Sequence, residues 1–275
     1  MYDKSSTTNL KFTIPHPRTM GSTNWRGLRE LYFKEVRRFW KVLFQTIFAP
    51  VITSMMFLLV MVFAFGRGST IIVGYPFEDF LLPGLVIMTM IQNAFANTSS
   101  SILVSKIQGN IVDVLMPPLS ALELTIAWTL GGVTRGLIVG LVTGIAMASF
   151  AEVHLNNIGY IAFHAIAGCL FMSLAGILTA VWAEKFDHMA AVTNFIVTPL
   201  TFLSGTFYTT DRLPDWAQFL ANYNPFFYNI DGFRYGFLGQ ESSQPLIGIL
   251  VMVAVNIVLF VCTYFVIKTG YKLKA

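Results

Sequence analysis

Polar side chains set inside long apolar runs are where this 275-residue chain could do chemistry, because each is costly in hydrocarbon unless it has a partner or a task. Thr89, Asn93, Asn97 and Ser101 recur at steps of four and so share one helical face. Asn194, Thr198, Thr201 and Gly205 share another. Both faces must look inward. They serve either as interhelical hydrogen-bonding groups, worth about 0.6 kcal/mol apiece, or as the lining of a substrate path, to which Phe48 and Phe202 add aromatic surface. Arg135 is the one charge inside an apolar run, so it is a functional candidate by position unless it snorkels toward a headgroup region. Spacing names no partner for it, since Glu123 is twelve residues away, about 18 Å along a helix.

Catalytic patterns do not occur. A phosphate-cradling G-x-x-x-x-G-K-[ST] loop needs glycine immediately before lysine, and none of the nine lysines has one. No histidine precedes glutamate, which excludes H-E-x-x-H, and no G-x-S-x-G elbow is present. His154 and His164 are not helically adjacent, so no metal site is expected of them; they read as interface or interhelical hydrogen-bonding residues. Cys169 and Cys262 lie inside apolar runs, with no C-x-x-C pattern or cysteine–histidine cluster.

The elements that must position these residues follow from composition and its arrangement. The chain is 55% hydrophobic and 12% charged, about half the charge of an ordinary soluble domain, and its mean hydropathy is +0.65. Uncharged runs extend from Val42 to Gly66, Phe80 to Ser105, Val153 to Ala183, His188 to Thr210 and Ser242 to Ile267. Each is long enough to cross a hydrocarbon core of about 30 Å. A further stretch, Leu124 to Phe150, contains Arg135, and its uncharged remainder is too short alone. Charge decides in its favour. With six spans and both termini cytoplasmic, 14 of the 18 basic residues fall on the inner side, whereas only Arg67, Arg212 and Arg234 fall outside. The net charge of +4 therefore reads as an inner-surface bias toward anionic membrane lipids, and nucleic acid is not expected as a partner.

Four segments outside the spans carry pattern. Residues 1–24 are polar, hold Pro15 and Pro17 and lack a signal-peptide core, which predicts a flexible cytoplasmic arm. Over 25–41, Trp25, Leu28, Tyr32, Val36, Phe39 and Leu43 form an apolar stripe opposite Arg26, Arg29, Glu30, Lys34, Arg37 and Arg38, as in an amphipathic interfacial helix. Over 106–118, Ile107, Ile111, Val114 and Leu115 fall on one side before Pro117 and Pro118, predicting a short helix across the cytoplasmic surface. Residues 206–241 crowd aromatic side chains between Pro214 and Pro225, and predict short re-entrant helices in the outer leaflet. Within the third span, Gly132, Gly136, Gly140 and Gly144 make a small-residue ridge for close packing. The fold class expected is all-α integral membrane.

Four motifs then carry a resemblance. Phe80-Leu-Leu-Pro-Gly-Leu85 through Asn97, Gln108-Gly-Asn-Ile-Val-Asp-Val-Leu-Met-Pro-Pro118, Pro199-Leu-Thr-Phe-Leu-Ser-Gly205 and Asn224-Pro-Phe-Phe-Tyr-Asn-Ile-Asp-Gly-Phe-Arg234 together resemble the membrane subunits of type-2 ATP-binding-cassette exporters, within the nodulation-factor and drug exporter subgroup. The resemblance spans about residues 25 to 270. It implies a bacterial inner-membrane permease that forms a homodimer and docks two copies of a separate ATPase. ATP and magnesium would sit on that partner, with no cofactor on this chain. It further implies that residues 25–41, with Arg26, Arg29, Glu30, Arg37 and Arg38, are a connecting helix. Gln108, Gly109, Asn110, Asp113, Val114 and Leu115 would be the coupling element that seats in the ATPase, and the substrate path would lie at the dimer interface, lined by the first, second and fifth spans. A lipid-like, amphipathic or drug-like cargo, or a lipid-linked glycan, fits this composition. The competing class is an ion-gradient-driven transporter, which calls for paired carboxylates in mid-span; the acids here, Glu123 apart, map to loops and ends.

Overall fold

The computed structural model describes residues 23–65, 71–72, 74–208, 214–239 and 245–273. The expected arm over 1–22, together with Arg67, Arg212 and Lys274, lies outside the described residues. The chain is helical: α1 (Trp25–Trp40), α2 (Ala49–Phe65), α3 (Phe77–Ile107), α4 (Ile111–Leu115), α5 (Ala121–Met147), α6 (Ile158–Trp182), α7 (Phe186–Val192), α8 (Thr198–Leu203), α9 (Asp215–Asn222), α10 (Pro225–Leu238) and α11 (Pro245–Thr269). A two-residue hairpin, β1 (Ile71–Ile72) against β2 (Tyr75–Pro76), precedes α3.

Among the described residues, five helices are long and apolar enough to cross a membrane: Phe44–Phe65, Phe77–Ile107, Ala121–Met147, Ile158–Trp182 and Pro245–Thr269. They are not the five that charge-free length alone selects. The contested third stretch is one unbroken helix through Arg135, opened by a capping box in which Ser120 Oγ accepts from the Glu123 amide and Glu123 accepts from the Ser120 amide. The apolar run 188–210, by contrast, is helical only to Leu203 and in three pieces: α7, a π-turn over Thr193–Val197, and α8. Pro199 explains the break, because its missing N–H leaves the Phe195 carbonyl without the usual partner four residues on. The same arrangement recurs at the start of the first span, where a π-turn over Phe44–Phe48 directly precedes Pro50.

Burial ranks the spans. Inside the bundle lies 83% of the most apolar window of α3, against 22% for the first span and 17% for α11. So α3 is the axis, and α2 and α11 turn rows such as Ile52, Met56, Val60 and Phe63, or Leu250, Ile257 and Val261, outward as lipid-facing surface. The glycine ridge of α5 explains how close α3 comes: a Cβ at Gly132 would stand 3.0 Å from the Ala94 carbonyl oxygen and one at Gly136 2.9 Å from that of Met90. Gly132, Gly136 and Gly140 thus do the close packing expected of the repeat, whereas a Cβ at Gly144 would meet only Val86 at 3.9 Å. One hydrophobic core fills the α3, α5, α6 and α10 interior; a second, around Leu31, Leu103, Ile111, Val114, Trp128 and Ile177, joins α1 and α4 to the bundle end.

Candidate functional site

The Gln108 end of α3 carries the exposed tip. Gly109 turns the chain with φ +75°, and nothing lies within 4 Å of where its Cβ would be. Helix α4 follows for five residues, with Ile111 and Val114 buried, Leu115 half-buried, and Gln108, Gly109, Asn110, Val112 and Asp113 exposed. The expected apolar side is therefore narrower than Ile107 to Leu115, since Ile107 is itself exposed at the end of α3. Lys106 departs further from the expected segment. Its Nζ donates to the carbonyls of Ala180, Val181 and Ala183 at 3.0, 2.7 and 2.8 Å, closing the last turn of α6. Nearby, the Lys272 ammonium hydrogen-bonds Glu184 at 3.1 Å and holds that carboxyl below its ordinary range.

Helix α1 lies against this end of the bundle. It begins at Asn24, whose side chain accepts from the Gly27 amide and whose own amide donates to Glu123, so α1 is fastened to the capping box of α5. Arg26, Arg29, Glu30, Lys34 and Arg37 are exposed as expected. The buried stripe is shifted from the one that spacing indicates: Leu31, Glu35 and Phe39 are buried, whereas Trp25 is 72% exposed. A carboxylate at the centre of a buried stripe calls for partners. Glu35 accepts from Ser101 Oγ at 2.8 Å and stands 3.5 Å from Arg38, which donates through Nη2 to the Asn97 carbonyl at 2.7 Å and to Asn97 Oδ1 at 2.9 Å. Glu35 is the residue that patterning passed over. The available signal was an acid four residues after Leu31 and four before Phe39.

The inward stripe of α3 continues this seam. Asn93 Oδ1 accepts from Arg135 Nη2 at 3.0 Å, which supplies the partner that spacing did not reveal. The Thr89 hydroxyl meets Ser54 Oγ of α2 at 2.6 Å. Thr89, Asn93, Asn97 and Ser101 are all buried, and they fasten α2, α5, α1 and α1 again to α3 in that order. Each of the four is thus hydrogen-bonded, although Asn97 Nδ2 is buried without a partner among the described residues. Its upper members also face a cleft of about 510 Å³ between the first span, α3 and the broken helix, lined among others by Gln45, Ser54, Thr89, Gln92, Asn93, Thr193 and Thr198. That volume is in the range of small-ligand sites. Both π-turn and proline joints border it, through Gln45, Ala49 and Pro50 on one side and Thr193, Val197 and Thr198 on the other.

Not every expected path residue is there. Thr201 is fully buried and donates to the Val197 carbonyl, Asn97 is wholly covered by the α1 contact, and Asn194, Phe48 and Phe202 point to the outer surface. Three of the eight, Thr89, Asn93 and Thr198, line the cleft.

Three of the motifs converge elsewhere, at the Phe77 end of α3. Arg234 Nη2 donates to the Gly205 and Thr206 carbonyls at 2.8 and 3.1 Å, and its guanidinium lies 3.9 Å from the centre of the Phe80 ring. Gly84 sits beneath: a Cβ there would be 2.6 Å from the Thr206 oxygen. Asn224 caps α10 through the Phe226 amide while donating to Ser204 Oγ at 2.8 Å and to the Leu200 carbonyl at 3.0 Å. The Leu-Pro-Gly, Ser-Gly and Asn-Pro-Phe elements are thus pieces of one buried joint.

A helical membrane protein with an amphipathic helix and a short exposed helix at one end, and a small polar cleft between its spans, has the form of a transport subunit. The family model for the ABC-2 type transporter matches residues 26–238, and the chain belongs to that family. It is similar to the inner membrane transport permease YadH of Escherichia coli, with 33% identity over 251 residues that cover 91% of this chain and 98% of the relative. It is also similar to nodulation protein J of Rhizobium leguminosarum bv. viciae, 31% identical over 120 residues, 43% of this chain and 46% of that one. With nodulation protein J of Bradyrhizobium diazoefficiens it shares 23% identity over 201 residues, 70% and 76% of the two chains. Membership makes the chain the membrane subunit of an ABC transporter, a family whose members work with an ABC ATPase.

Proposed function

We propose that the chain is the permease of an ATP-driven exporter in the bacterial inner membrane, with six spans, both termini cytoplasmic, acting as a homodimer with two ATPase copies. The fifth of the six spans in chain order is the broken helix from Phe186 onward, and α9 and α10 are the re-entrant elements on the outer side. The observation that carries this reading is the buried polar seam, which runs along α3 from its contacts with Glu35 and Arg38 of α1 to the cleft. In this reading Asp113 and its exposed neighbours on and before α4 seat in the ATPase, and α1 transmits their movement to α3. The π-turn and proline joints let the first span and the broken helix change angle around the cleft. A ligand-driven switch needs contacts that differ between two states, and helices with weakened hydrogen-bond ladders supply them at low cost. The cargo is lipid-like, amphipathic or drug-like, supported by a cleft that is hydroxyl- and amide-lined beside wholly apolar outer faces. ATP and Mg²⁺ belong to the partner ATPase.

The test is co-expression with the ATPase encoded nearest the permease gene. The wild-type chain co-purifies with it and stimulates ATP hydrolysis in reconstituted vesicles. Asp113→Lys, which reverses an exposed charge without touching the core, reduces that stimulation by about 10-fold or more, the cost of a like-charge contact of about 1.4 kcal/mol. Unchanged stimulation by the variant, or failure of the wild type to bind any ATPase, overturns the proposal.

A further inference from the structure

At the Phe77 end of α3, far from the tip, ligand atoms of Asp79, Glu152 and His154 all lie within 4.8 Å of one another. Asp79 is in the first turn of α3, and Glu152 and His154 are in the segment joining α5 to α6. The residues lie 73 and 75 positions from Asp79 in the chain, so no local motif announces them. They border a cavity of about 600 Å³. Among the described residues, no lysine or arginine lines it, although Glu78 lines it as well. Glu78 is 8% exposed, and its Oε2 is buried with no hydrogen-bond partner. A buried carboxylate oxygen without a partner costs several kcal/mol if charged, unless a cation is present.

The geometry points to a site for a divalent transition-metal ion, with zinc as its first candidate, held by Asp79, Glu152 and His154 and neutralising Glu78. Asp79 Oδ2 and His154 Nε2 are 3.1 Å apart. That is close to the roughly 3.3 Å that separates neighbouring ligands placed tetrahedrally about 2.0 Å from zinc. Asp79 Oδ1 meanwhile accepts from the Glu152 amide at 2.8 Å, which fixes its carboxylate and leaves Oδ2 directed to the imidazole. The His154 ring packs 5.1 Å from that of Tyr75, whose hydroxyl is anchored on the Leu238 carbonyl at 2.9 Å. An imidazole among carboxylates favours zinc over magnesium or calcium, which prefer all-oxygen shells. Bound there, the ion cross-links the start of α3 to the α5–α6 connection and stabilises the folded chain by mass action.

The test titrates Zn²⁺ alone into the full-length chain, purified in detergent without a polyhistidine tag and stripped of metal, by isothermal calorimetry. One ion per chain is expected, with a rise of several degrees in the thermal unfolding midpoint. Glu152→Gln, at an exposed position, and His154→Gln each weaken binding by at least about 10-fold and abolish the shift. His188→Gln, outside the site, changes neither. If His154→Gln fails to fold, Glu152→Gln decides. The proposal is overturned if the folded wild type shows no saturable zinc binding, if Glu152→Gln binds zinc as tightly as the wild type, or if Mg²⁺ or Ca²⁺ binds as tightly as zinc.

Discussion

Gly84 and Gly109 are both glycines for reasons of space or backbone, yet the reasons differ and predict different outcomes. At Gly84 an added methyl meets the Thr206 backbone oxygen at 2.6 Å and the Arg234 guanidinium at 3.0 Å, neither of which can move without dismantling the joint of α3, α8 and α10. Gly84→Ala therefore lowers stability by about 1–3 kcal/mol, the usual cost of overpacking, read as a drop of several degrees in the thermal midpoint in detergent. At Gly109 there is open space, and only the positive φ of +75° opposes a side chain. Alanine there costs about 1–2 kcal/mol of local turn geometry, and a bulkier residue costs no more, because no wall stands near. Equal unfolding midpoints for Gly109→Ala and Gly109→Phe are the check; a much larger loss for phenylalanine contradicts the open turn. Arg135 illustrates what spacing cannot supply. Its position marks it as unusual, but Asn93 lies 42 residues away, and only the register of α5 against α3, set by the glycine ridge, brings the pair together.

At the scale of elements, α1 is tied to α3 by a few buried polar contacts rather than by its apolar stripe alone. Glu35 is 1% exposed, and Gly131 of α5 leaves room for it: a Cβ at that glycine would be 2.7 Å from the Glu35 Cβ. Glu35→Ala strands the Ser101 hydroxyl and removes the charge facing Arg38. The expected loss is about 1–2 kcal/mol of α1 docking, which raises the rate of tryptic cleavage at Arg29, Lys34 and Arg37 by about 5- to 30-fold while the spans stay intact. An unchanged cleavage rate means that the apolar contacts hold the helix unaided. Hydrophobic period was enough to read α1 as a helix, yet it misplaced the buried face, because a stripe counted only by apolar residues cannot include the acid at its centre. The broken helix shows the opposite failure. Its charge-free length reads as an ordinary span, but Pro199 and the preceding π-turn are backbone effects to which hydropathy is blind. Pro199→Ala restores the ladder bond to Phe195 and raises the unfolding midpoint by a few degrees, at the expense of the mobility that transport needs. A stabilised variant with undiminished transport counts against a hinge there.

For the whole molecule, the tip and the cleft are distinct parts joined by one helix, and they are separable by mutation. The tip, Gln108 to Leu115, has exposed polar groups, so a substitution there changes what docks. The cleft, about 14 to 29 Å away if counted along α3 at about 1.5 Å per residue, has volume and, among the described residues, no charged residue in its lining, so a substitution there changes what enters. Gln92 lines the cleft without being fully buried, and a larger side chain at that position fills space rather than displacing core. Gln92→Trp is therefore expected to leave ATPase co-purification and basal hydrolysis within about two-fold of the wild type while reducing cargo movement by about 10-fold or more, the equivalent of about 1.4 kcal/mol. Asp113→Lys is expected to behave in the reverse manner, losing stimulation by the partner while binding cargo normally. Cargo-binding, vesicle transport and ATPase assays run in parallel on the two variants read these quantities. The same pattern of loss in both variants means that the α3 seam makes tip and cleft a single functional unit.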